Sequence, residues 1–432
     1  MFSIFNKFIK DKKNKILVSN FVYLAILQGL NLLLPLLTFP YLVRVLGIEN
    51  FGLLSFSFAL ITYFQIITDF GFNSIATRDI AIAIHDKKQQ QDIFNDVMSA
   101  KLFLLVVCFV LMTITVFCFE IFRNHWEIYF FSFGSVLGQA IFPVWFFQGM
   151  QKMRYITFLN LFTKILFTVA IFLFVKQKQD YFLVPIFNAL GFITAGIMSF
   201  YFVRNHFTLK LELQSFQKIK NQLIKGKFVF LSELKISLFT NTNILILGIF
   251  VGNQAVGYFT SAEKLARAIG NFQTPISNAL FPFLSKEMTL NKLQTINKIN
   301  KLAKIGGMGF SVIVLLGFFF SEEIILFVYG KGMYPSVILF KILIIIPLAS
   351  FLDSMFGKQI LLNLGKDNLY FRVILWATLL NISINLWLTY FYKELGTAFA
   401  LAITQIFIVF GMWFYAKKEA DKIKKKESYG TN

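Results

Sequence analysis

From residue 17 to residue 416 the chain alternates long apolar runs with short polar breaks, and each run is about twenty residues or longer. A helix of that length crosses the ~30 Å hydrocarbon core of a bilayer. The runs are continuous and lack the every-second-residue alternation of a lipid-facing barrel strand. They predict twelve spans, at 17–43, 51–77, 100–120, 126–149, 155–175, 182–203, 228–251, 255–282, 303–328, 335–363, 368–392 and 394–416. Six prolines, at 35, 40, 143, 275, 282 and 347, fall inside these spans, where the missing N–H and the ring favour kinks.

Several spans carry polar residues where lipid is expected. The stretch FLSELKISLFTNTN, 230–243, is the densest. At 100° per residue its Glu233, Ser237, Thr240 and Asn241 share a face, while Lys235 points elsewhere. On the second span Ser55, Thr62, Gln65, Asp69 and Asn73 form one stripe; on the eighth, Glu263, Arg267, Asn271, Thr274 and Asn278 form another. Shorter stripes are Ser132, Ser135 and Gln139 on the fourth span and Asn160 with Lys164 on the fifth. A charge at the bilayer centre costs at least ~2.5 kcal/mol, so such residues face water or a partner. The stripes therefore predict a polar cavity.

The halves resemble one another. VLGIENFGLLSFSFAL (45–60) and IFVGNQAVGYFTSAEKL (249–265) each place two glycines five apart, Gly47/Gly52 and Gly252/Gly257, ahead of a striped span. At the same offset of 205 residues Asn73 falls on Asn278. With six spans per half, this is a parallel repeat. The expectation is an all-α polytopic membrane protein: an N-terminal six-helix lobe at 1–203, a linker at 204–227, a C-terminal six-helix lobe at 228–416 and a basic tail at 417–432, with a central cavity between the lobes.

Composition agrees: 57% of residues are hydrophobic, Phe alone supplies 57 of them, and 15% are charged. The net charge of +20 raises nucleic acid as a partner, but its distribution answers that. With the N-terminus inside, thirty of the 42 Lys and Arg fall in inner segments and six in outer ones. The positive-inside rule then places both termini in the cytoplasm, facing the anionic leaflet, and no nucleic-acid partner is needed. Connections are too short for a soluble domain, the longest being 78–99, 204–227 and 283–302.

The remaining six bases lie within spans: Lys164, Lys235, Lys264, Arg267, Lys341 and Lys358. Lys341 and Lys358 are close enough to helix ends to snorkel. Lys164 has no acid within a turn, and with Arg267, Lys264 and Lys235 it is a candidate for holding an anion such as phosphate. A local alternative stands beside this: Glu263 and Arg267 are four apart and can neutralise one another. Asp69, Glu233 and Glu263 are candidates for carrying a coupled cation, H⁺ or Na⁺; no other cofactor or metal is expected. Cys108 and Cys118 make no framework, and no GxxxxGK[ST] loop for nucleotide is present.

The runs LQGLNLLLPLLTFPYLVRVLGIENFGLLSF (27–56), DFGFNSIATRDIA (69–81), PVWFFQGMQKM (143–153) and AEKLARAIGNFQTPISNALFPFLS (262–285) resemble Wzx-type flippases. These form the polysaccharide-transport branch of the multidrug/oligosaccharidyl-lipid/polysaccharide (MOP) exporter superfamily. The resemblance implies movement of an undecaprenyl-diphosphate-linked oligosaccharide repeat unit between leaflets of a bacterial inner membrane by alternating access. The surface polymer, O-antigen or another, would be completed with a polymerase and chain-length regulator as partners. It also implies a cationic cavity, to which Arg267, Lys164, Lys264 and Lys235 are assigned; Arg78, in the ATRD motif, meets the diphosphate at entry or anchors its helix. Asn73, Thr240, Asn241, Asn271, Asn278 and Gln139 are assigned to the cavity wall. Gln151 departs from the acidic residue that commonly follows WFFQG. An ion-coupled multidrug or cation antiporter would instead show an acid-dominated cavity. A membrane glycosyltransferase or polymerase would show catalytic acids or a sizeable outer loop.

Overall fold

The computed structural model describes residues Lys12–Tyr429, all of them in helices or short connections with no strand among them. Each expected span is found as a helix or as two or three helices in line. Lys12–Leu46, Lys87–Cys118, Met153–Phe174, Leu183–Phe207 and Phe216–Phe250 run unbroken. The second span is Ile48–Asp69 plus Phe72–Ile82, and the fourth is Trp126–Ile141 plus Val144–Gly149. The eighth is Asn253–Asn271 plus Gln273–Leu290, and the ninth is Lys292–Phe319 plus Ser321–Tyr329. The tenth is in three pieces, Tyr334–Leu343, Ile346–Asp353 and a π-helical Ser354–Leu362. The last two spans form one Asp367–Tyr429 helix, broken at Lys393 where φ is 50° and ψ −132°. Nine of these helical stretches among the described residues are long and apolar enough to cross a membrane, making this a multi-pass membrane protein.

The connections at 78–99 and 283–302 are mostly helical, not loops. Helices such as Lys87–Cys118 extend beyond their apolar stretch because KKQQQDIFNDVM keeps Phe94, Val97 and Met98 on a buried face. Asp86 starts that helix, its carboxylate accepting from the amides of Lys88 and Gln89 at 3.0 Å each.

The chain divides into two compact units. One takes in residues up to Thr38, Val45–Asn50 and Phe56–Ser237; the other takes in Phe39–Arg44, Phe51–Ser55 and Leu238 onward. In the first, Trp126–Ile141 packs closely on Leu183–Phe207. Gly134 and Gly138 form a small-xxx-small face, and a Cβ at Gly138 would lie 2.4 Å from the Phe192 carbonyl carbon. The PVWFFQG motif forms this unit's core: Trp145, Phe146 and Phe147 are fully buried among Phe94, Met98 and Leu159.

The first unit also fastens the segment after the Leu183–Phe207 helix. Residues 209–215 are non-helical. The amides of Lys210, Glu212 and Gln214 donate to Gln91, Asn95 and Ser99 of the Lys87–Cys118 helix at 3.0, 3.1 and 3.0 Å. Every second residue of an extended chain, ~6.6 Å, meets every fourth residue of a helix, ~6 Å, so the two repeats stay in step.

The core of the second unit gathers Leu284, Ile299, Met355, Leu361 and Met412. The same unit holds a buried polar ladder. Asn385 donates to Asn243 at 2.9 Å, Thr389 donates to Asn385 at 2.6 Å, and the Thr389 and Thr397 hydroxyls are 2.8 Å apart, all at 0% exposure.

Candidate functional site

The glycines of the repeat do the same work in both halves. Gly47 (φ 77°, ψ 166°) precedes the Ile48–Asp69 helix, and Gly252 (φ 109°, ψ 179°) precedes Asn253–Asn271. The first of these helices then stops in mid-span, after 22 residues, whereas Asn253–Asn271 leads through Phe272, still helical at φ −59° and ψ −25°, into Gln273–Leu290. Interrupted helices free backbone and side-chain polar groups at membrane depth, which is tolerated where they line a cavity.

In the first unit the interruption lies in the DFG sequence. Asp69 ends its helix, Phe70 is left-handed at φ 46°, and Gly71 follows at φ 74°. Phe70 is held there by its ring, stacked 4.4 Å from that of Phe230. Gly71 is needed both for its φ and because a Cβ would lie 2.6 Å from Cγ1 of Val229. The turn brings Asp69 and Asn73 to one wall of a cleft of about 310 Å³, with Asn73 Nδ2 donating to Asp69 Oδ2 at 2.6 Å. The opposite Oδ1 accepts from Lys101 Nζ at 3.0 Å. The Lys101 side chain is only 3% exposed and that of Asp69 23%. Gln65, Gln139, Asn160 and Glu233 complete the polar lining. Gln65 is steadied by Nε2 donating to Ser135 Oγ at 3.2 Å.

The structure thus brings together Asp69, Asn73, Glu233 and Gln139 of the expected set, and adds Lys101. Lys101 stands at the start of the third apolar run, where the charge count takes it with the inner basic residues. The helix starts fourteen residues earlier, at Lys87, so Lys101 sits within it rather than at its end. Its place at the head of that run was the available signal. The lining holds two carboxylates and one ammonium, so this cleft is not cationic.

The expected basic residues lie elsewhere. Arg267 Nε donates to Glu263 Oε1 at 2.8 Å, the local neutralisation that their spacing allowed. Glu263 is 4% exposed, and Arg267 keeps its Nη2 buried without a hydrogen-bond partner among the described residues. Lys264 is exposed, its ammonium 5.0 Å over the Phe39 ring. Half-buried Lys164 donates to Asn31. Arg78 is 72% exposed and 3.4 Å from Asp79, the placement of a helix anchor. The side chain of Lys235 lies outside the described residues. Asn241 donates to Thr240 at 3.1 Å, Lys358 donates to Asn278 at 2.6 Å, and Asn271 is exposed.

Residues 17–288 match the family described as polysaccharide biosynthesis protein. The chain is 31% identical over 402 residues to a putative O-antigen transporter of Escherichia coli K12, covering 92% of this chain and 96% of that one. A second putative O-antigen transporter, from Shigella dysenteriae, is 26% identical over 91% of this chain and 98% of its own. Among solved structures, the lipid II flippase MurJ in an inward closed conformation superposes with a TM-score of 0.72 at 14% identity, over 92% of this chain and 87% of that one. An inward-facing MATE family transporter of the MOP superfamily gives 0.70 at 14% identity, over 91% and 96%. At such identity the last two likenesses speak to the fold.

Proposed function

The chain belongs to the polysaccharide biosynthesis protein family, and from that premise we propose that it is a flippase for a polysaccharide precursor. The cargo in this reading is an undecaprenyl-diphosphate-linked oligosaccharide, moved from the inner to the outer leaflet of a bacterial cytoplasmic membrane by alternating access. Both termini then lie in the cytoplasm. The observation that carries the reading is the likeness along nearly the whole length to two proteins named as putative O-antigen transporters.

Each unit offers its own chemistry to this reading. In the second, Arg267 holds one face of its guanidinium on Glu263 and leaves the buried Nη2 for an oxygen of the diphosphate. Lys264, its ammonium over the Phe39 ring, supplies further positive charge. In the first, the amides of Gln65, Asn73, Gln139 and Asn160 suit the hydroxyls of a glycan, and the Asp69–Lys101 pair with Glu233 suits a coupled cation. A polymerase and a chain-length regulator would act on what the flippase delivers.

Proteoliposomes loaded with a labelled undecaprenyl-diphosphate oligosaccharide test this. Wild type is expected to expose label to an external enzyme, and Arg267→Ala to slow exposure at least ~10-fold by removing a charge-assisted contact. Wild-type rates equal to those of empty vesicles would end the reading. One observation favours a second: the two-to-one excess of acid over base in the first unit's cleft is what a cation antiporter shows. In that case overexpression confers resistance to cationic dyes and leaves surface glycan unchanged.

A further inference from the structure

In the second unit a groove of about 630 Å³ opens where the Lys292–Phe319 helix passes the last third of the Asp367–Tyr429 helix. Asn297, Asn300 and Lys304 line one wall, and Trp413, Lys417 and Lys424 the other. Spacings of three and four, and of four and seven, keep each trio on one helix face. The floor is apolar, with Leu352 and Phe356 from the tenth span.

Several basic residues surround this groove. Some of those outside the lining are paired: Lys298 meets Glu287 at 2.9 Å, and Lys366 and Lys422 meet Glu419 at 3.1 and 2.5 Å. Lys304, Lys417 and Lys424, which line it, have no carboxylate within 4 Å among the described residues, although Asp421 shares the wall. Lys417 rests instead over the Trp413 ring at 5.3 Å. Three ammonium groups against one carboxylate leave the rim positive by two charges. This change from greasy floor to basic rim falls where the apolar runs of both helices end, at 303 and 416.

We infer that this groove is a binding site for an anionic glycerophospholipid of the surrounding membrane. The phosphate sits among Lys304, Lys417 and Lys424, the amides of Asn297 and Asn300 meet the remaining headgroup oxygens, and an acyl chain lies along Phe356 toward Trp413. Basic juxtamembrane clusters attract anionic headgroups, and an interfacial Trp suits the headgroup level. The inference does not depend on what the protein transports.

Native mass spectrometry of the detergent-purified full chain with added lipid provides the test, reading one bound lipid per protein. Phosphatidylglycerol is expected to be retained at least ~10-fold over phosphatidylcholine, since each nearby base is worth about 1 kcal/mol. The K304Q/K417Q/K424Q variant removes exposed charges only; it should melt as wild type does and lose the preference to within about twofold. Equal retention of the two lipids, or an unchanged preference in the variant, overturns the inference. Displacement by millimolar inorganic phosphate would reassign the site to free phosphate, and displacement by undecaprenyl phosphate at equal concentration would reassign it to the prenyl carrier; either also overturns it. Failure here leaves the transport reading intact, because lipid retention is read without cargo.

Discussion

Asp69 and Lys101 show how the first unit keeps charge inside an apolar bundle. Neither is tolerable alone, since an unmatched charge in a membrane span costs several kcal/mol. Together, at 3.0 Å, with Asn73 donating to the second carboxylate oxygen, they are compensated. Breaking such a pair from one side leaves the partner exposed to the full desolvation cost. Lys101→Met is expected to destabilise by about 2–3 kcal/mol, less than a fully dry pair because the Asp69 side chain keeps 23% exposure. Adding Asp69→Asn should recover at least half of that loss in a detergent unfolding cycle; strictly additive effects would show that the two are not coupled. The stretch 230–243 resolves at this scale too. Glu233 lines the first unit's cleft, whereas Asn243 is fully buried and bonded to Asn385. A polar residue in a span marks either a cavity or an interhelical bond, and the helical stripe alone does not distinguish them.

Helices were legible as elements because a twenty-residue apolar run leaves few other structures in lipid. Even the break at Lys393 coincides with the expected gap between 392 and 394. Interruptions within spans were legible where proline marks them: the breaks after Ile141 and before Ile346 fall beside Pro143 and Pro347. The stop at Asp69 lies inside otherwise helical sequence and depends on local backbone choice, the left-handed Phe70 stacked on Phe230. The non-helical 209–215 segment is likewise set by its neighbour: nothing in LKLELQS announces that alternate amides will dock on Gln91, Asn95 and Ser99. Replacing those three with Ala should speed amide exchange at residues 210, 212 and 214 by roughly 10- to 1000-fold, from net hydrogen-bond worth of about 0.5–1.5 kcal/mol each. Unchanged exchange at these amides, with the helix intact, would show that packing alone holds the segment.

For the whole molecule, charge placement predicts an orientation in the membrane. Thirty basic residues in alternate connections against six in the others predict that the lysine-rich tail and the 209–215 segment share the cytoplasmic side. Single cysteines at 214 and 424 in a cysteine-free background should be labelled by a membrane-impermeant maleimide only in inverted vesicles, and one at 178 only in intact spheroplasts. Labelling of 424 in spheroplasts would overturn the orientation.

By itself the sequence determined the class of molecule: all-helical, repeatedly membrane-spanning and akin to polysaccharide exporters. Hydrophobic length, charge asymmetry and motif content are properties of residues in order, and they survive without coordinates. Partnership was decided only by the tertiary structure. That Lys101 rather than Lys164 or Lys264 faces Asp69, and that Lys304, Lys417 and Lys424 line one groove with no carboxylate within 4 Å among the described residues, depend on which helix faces meet. Electrostatic energy falls with distance and rises with burial, and both are fixed by packing between residues far apart in the chain.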